Sequence, residues 1–129
     1  MTYNPLTEAR TTVQGLIQAA IPEVSCYGAP PEVLTMPGVI VIPGEPWAAG
    51  RTWSKTEVAL EVTLVASSLG DNEAAYERLE DLAWRVQVAL LGSAVLGPLR
   101  SPQLQTFGTA QAATATQTVL VTIEDTETP

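Results

Sequence analysis

Between Glu57 and Ala66 the chain alternates: Val58, Leu60, Val62, Leu64 and Ala66 on one side, Glu57, Ala59, Glu61, Thr63 and Val65 on the other. Side chains of an extended strand point to opposite faces with a period of two, so this stretch predicts a half-buried strand. After Gly70-Asp71-Asn72 the period lengthens. Tyr76, Leu79, Ala83, Val86 and Leu90 recur at helical spacing, and Leu82, Trp84, Val88 and Leu91 widen the apolar stripe. The pair predicts a helix of about five turns folded back over the strand, because neither apolar surface is stable in water alone.

The flanking segments read in the same way. Asn4 is a suitable N-cap and Pro5 a suitable first residue for a helix running to about Ala20, with Leu6, Val13, Leu16, Ile17 and Ala20 as its apolar stripe. Pro22 ends it by removing a donor and pushing Ile21 out of the helical region. Gly15 weakens its interior and is an expected point of close crossing with another element. A short strand is expected over Glu23 to Gly28, then a central strand over Val39-Ile40-Val41-Ile42, covered on both faces. The stretch from Pro43 to Trp53 reads as an irregular loop. Gly92 is a natural left-handed helix stop, followed by a loop from Ser93 to Pro102. Leu104 to Ala110 and Thr116 to Glu124 read as two strands joined by a small-residue turn around Ala112 to Ala115. The expected fold is therefore α+β, a mostly antiparallel sheet packed by two helices in the order α-β-β-β-α-β-β. A polar, acidic tail over 124–129 is expected to fray.

The 129 residues fit one domain spanning 1–129, large enough to bury a core without staples or metals. The longest apolar runs are far too short to cross a bilayer, and the N-terminus lacks the basic-then-apolar order of an export signal. With 14 acids against 6 bases the net charge is −8, and the bases are scattered. That balance argues against gripping nucleic acid, which needs a basic stripe to neutralise phosphates. It suits plain solubility, and equally an acidic wall past which DNA slides without sticking.

Candidate chemistry is sparse. The chain has no histidine, which removes an imidazole base, a Ser-His-Asp triad and imidazole metal sites. Cys26 is the single thiol, and with no partner base it reads as a small buried hydrophobe. Glu73, Glu77, Glu80 and Asp81 lie at the start or off the stripe of the second helix, as a solvated charged face does. No catalytic, cofactor-binding or metal-binding residue is assigned, and an enzyme is not expected. Trp47, Arg51 and Trp53 are the candidate interface residues, since Trp and Arg dominate interface hot spots; the other reading has both tryptophans capping the sheet locally. Glu57 and Glu61 share the non-core face of the long strand and are the candidate acidic surface: acidic lining if that face borders a channel, plain outward polar residues if it faces solvent.

Three phrases carry a resemblance: the strand KTEVALEVTLVAS, the helix GDNEAAYERLEDLAWRVQVALL, and the closing strands ending in TVLVTIEDTE. In this order, and over Pro5 to about Glu124, the chain resembles the tail terminator proteins of long-tailed, non-contractile bacteriophages. The segment Pro43 to Trp53 matches no motif of that family. The resemblance implies a virion protein of the tail and neck, assembled in the host cytoplasm without cofactors. Its partners would be copies of itself in a ring, usually a hexamer, the tail tube protein below and the head–tail connector protein above. DNA would only pass through the lumen, and no membrane is involved. Another connector, completion or minor tail protein is the neighbouring possibility, and a small-molecule-binding α+β domain the more distant one.

Overall fold

The computed structural model describes residues 4–28, 36–52, 55–67, 72–107 and 110–124. Their order is α1 (Pro5–Ala20), β1 (Ser25–Tyr27), β2 (Gly38–Thr52), β3 (Lys55–Ser67), α2 (Asn72–Leu90), β4 (Val95–Leu99), β5 (Gln103–Phe107) and β6 (Ala110–Glu124). This is the expected α+β arrangement, with one strand more in the C-terminal part.

Local chemistry sets the helix ends. The Asn4 side chain accepts hydrogen bonds from the backbone N–H groups of Leu6 (3.0 Å) and Thr7 (3.4 Å), and Pro5 opens the helix where its missing donor is not needed. At the other end Ile21 leaves the helical region, with φ −130° and ψ 80°, one residue before Pro22. The Gln18 amide then ties the reversal, donating to the carbonyls of Pro22 (3.2 Å) and Val24 (2.9 Å). Gly92, at φ +88°, ends the run after α2 in the left-handed conformation that glycine adopts without strain.

The strands form one sheet in the order β1-β2-β3-β6-β4, parallel between β1 and β2 and antiparallel elsewhere. The 13-residue β3 pairs with β6 over its whole length. On the other border of β6, β4 pairs near Val119 and β5 near Ala112, and the Arg100 N–H donates to the Thr116 carbonyl between them (2.9 Å). Together β4 and β5 make one interrupted edge strand.

Both helices pack on one face. Ala9, Val13 and Ile17 of α1 and Ala75, Leu79, Leu82, Val86 and Leu90 of α2 cover Val58, Leu60, Val62, Leu64 and Ala66 of β3. The alternation in β3 thus faces the core as expected. On the opposite face Ile40, Val65 and Ala112 form a smaller apolar cluster with Tyr27, Met36 and Ile42. Val39, Ile40 and Val41 are buried, which is the two-sided cover expected of that run.

Several expectations need correction. The segment 43–52 is the second half of β2: Pro43 pairs with Leu60, Ala48 with Val58 and Arg51 with Thr56. β2 carries surplus residues there, so bulges hide the period that a regular strand would display. The segment 95–99 is also strand. Gly97 and Pro98 lie together opposite Thr118, in a break of register between Leu96 and Leu99. A Cβ at Gly97 would come within 2.8 Å of the Thr118 carbonyl oxygen, so the close approach of backbones requires glycine. Ala112 to Ala115 are no turn. They lie buried within β6, all paired with β3 and as far as Thr114 with β5, and Phe107 pairs with Ala110. The short first strand covers only Ser25–Tyr27.

Gly15 makes no close crossing: it is exposed, and a Cβ there would meet nothing within 4 Å. Gly15→Ala is therefore expected to raise the unfolding free energy by roughly 0.5–1 kcal/mol, because alanine loses less backbone entropy in a helix. Thermal or urea unfolding of the variant checks the sign.

Candidate functional site: exposed surfaces

Trp47 is the candidate residue whose side chain is best placed by its surroundings. It is 47% exposed on β2 and lines a cleft of about 130 Å³ with Asn4, Thr7 and Arg10 of the α1 start and with Pro43 and Leu60. Part of the side chain lines that seam and part faces water. Arg51 lies in β2 opposite Thr56, near the end of the β2–β3 hairpin. Trp53 lies outside the described residues. The structure therefore does not assemble the three into one described constellation.

Glu57 and Glu61 sit on the sheet face away from the helices, Glu57 exposed and Glu61 half-buried. Directly paired residues share a face, so Glu57 lies beside Thr122, and Glu61 beside Thr118 and Ile42. The next pair on that face is Thr63 with Thr116. The result is a mixed face: Glu57 exposed toward the hairpin end, half-buried Glu61 and threonines along the middle, buried Ala59 between the two glutamates, and the Ile40, Val65 and Ala112 cluster beyond. Threonines and carboxylates on that face supply no nucleophile–base pair.

The largest departure from the sequence reading is on α2. Trp84, Val88 and Leu91 were expected to widen the core stripe, yet Trp84 is 70% and Leu91 75% exposed, and Val88 is exposed as well. On a wheel of 3.6 residues per turn, Trp84 and Leu91 lie roughly 120–140° round from Leu79, outside the buried arc. These angles follow from the sequence spacing and separate the two residues from the buried arc. Glu73, Glu77 and Glu80 continue the same line toward the helix start, all exposed. One stripe of α2 is thus acidic in its first half and apolar in its second.

An amide pair, buried Gln117 with half-buried Gln87, shows which way this flank turns. The Gln87 amide donates to Gln117 Oε1 (2.5 Å), while the Gln117 amide donates to Gln87 Oε1 (2.9 Å) and to the Gly97 carbonyl (2.6 Å). Gln87 lies one turn beyond Trp84, so this side of α2 borders the β4–β5 edge. Exposed Val95, Leu99 and Leu104 belong to that same edge.

The opposite flank of α2 differs. Arg85 forms an ion pair with Glu23, before β1, and approaches Asp81 at 3.9 Å; Arg78 donates to the Ser67 carbonyl at 2.9 Å. The hydrogen bond from Arg85 holds the Glu23 carboxyl below the usual carboxylate range, and Glu23 in turn raises Arg85. These groups rim a cleft of about 200 Å³ with apolar walls from Ile21, Met36 and Leu82.

Chemical machinery is thin by comparison. Cys26 is partly buried, its thiol directed at the Gln14 carbonyl (3.9 Å), and burial pushes its pKa up, away from the reactive thiolate. Among the described residues, no group of three or more His, Cys, Asp or Glu is placed to hold a metal ion, and every buried side-chain polar atom has a partner. The distinctive feature is exposed apolar surface, not a convergent polar cluster. Compared with known proteins, the sequence matches no protein-family model and no curated protein.

Proposed function

We propose that this chain is a structural subunit of a phage tail, a terminator that closes into a ring on the end of the tail tube and joins the tail to the head connector. The observation that carries the reading is the exposed apolar stripe of Trp84, Val88 and Leu91 beside the β4–β5 edge. Exposed apolar residues aligned on one helix face mark a protein contact, since leaving them in water forfeits roughly 25 cal/mol per Å². The resemblance in sequence pattern supplies the identity of the assembly, and the α+β fold agrees with it.

In this reading the work is geometric. Head-to-tail contacts that close on themselves satisfy lateral surfaces without making an open filament. The ring binds the tube on one face and offers the next tube subunit nothing on the other. Exposed Glu57, with half-buried Glu61 beside it, is suited to the lumen, where like charge keeps DNA from sticking.

The test is electron microscopy of uncapped tail tubes with and without the purified protein, together with sizing of the protein alone. The expected result is a weakly associated protein in dilute solution that forms rings on tube ends and halts tube growth. Its loss during assembly gives overlong tubes. Tails of normal length that fail to join filled heads identify a connector instead, and tubes left undecorated reject the proposal.

A further inference from the structure

We draw no further inference here: the strongest candidate, the exposed apolar stripe of Trp84, Val88 and Leu91 on α2 beside the β4–β5 edge, belongs to the site already described, and nothing in the structure shows what covers it.

Discussion

Leu64→Ala is expected to lower the unfolding free energy by about 3 kcal/mol, within the 2–5 kcal/mol typical of buried leucine truncations. Leu64 is fully buried in the C-terminal half of the long strand β3, paired with Val39 of β2 and Ala115 of β6, under the helices. Its removal loses the transfer energy of the side chain and leaves a cavity that a sheet paired on both borders cannot close. With a urea slope of about 1–3 kcal/mol per molar, the unfolding midpoint should fall by roughly 1–3 M. Leu104→Ala on the half-open edge strand β5 serves as the control and should move the midpoint far less. Equal effects at the two positions would mean that the helices do not clamp this part of the sheet.

Gln117→Leu is expected to cost about 1–3 kcal/mol, through a different mechanism. Gln117 is buried on β6, and its amide joins the Gln87 side chain on α2 to the Gly97 carbonyl on β4. A leucine fills the space but leaves the Gly97 carbonyl and the Gln87 amide without that partner. Gln87→Leu added to Gln117→Leu should recover part of the loss, because an apolar pair leaves fewer orphan groups. The double-mutant cycle, read by urea unfolding, gives the coupling directly. Additive losses would show that the two amides do not act as a unit.

Much of this architecture was legible from local signals. Asn4, Pro5 and Pro22 mark the limits of α1 because capping and proline chemistry act within a turn, independent of the rest of the fold. The period-two run in β3 is equally plain, since one face meets the main core and the other is more polar and only partly covered. The strands that were missed share one cause: their hydrophobic period is erased. β2 carries bulges after Pro43, β4 is broken at Gly97-Pro98, and β6 between Ala112 and Ala115 is made of residues too small to show alternation. Alanines there are buried on both faces, and burial of that kind depends on partners far along the chain.

The surfaces were legible only in part. Glu57 and Glu61 followed from strand alternation and lie on the open face. Residue type alone marks Trp47, and in the fold its side chain lines the seam between β2 and the start of α1. Trp84 was overlooked because the apolar stripe of α2 was drawn wider than one helix face can bury. An indole roughly 140° from the stripe's centre cannot reach the core, and that angle was available from the spacing alone.

The interrupted border formed by β4 and β5 has a consequence for how copies of the chain meet. Pro98 and Pro102 offer no amide hydrogen, and the ladder loses its rhythm between Leu96 and Leu99. Another sheet laid alongside would find no continuous template, so runaway cross-β growth is discouraged at this margin. Recognition there falls to side chains, which can be specific and reversible where main-chain zippering is neither.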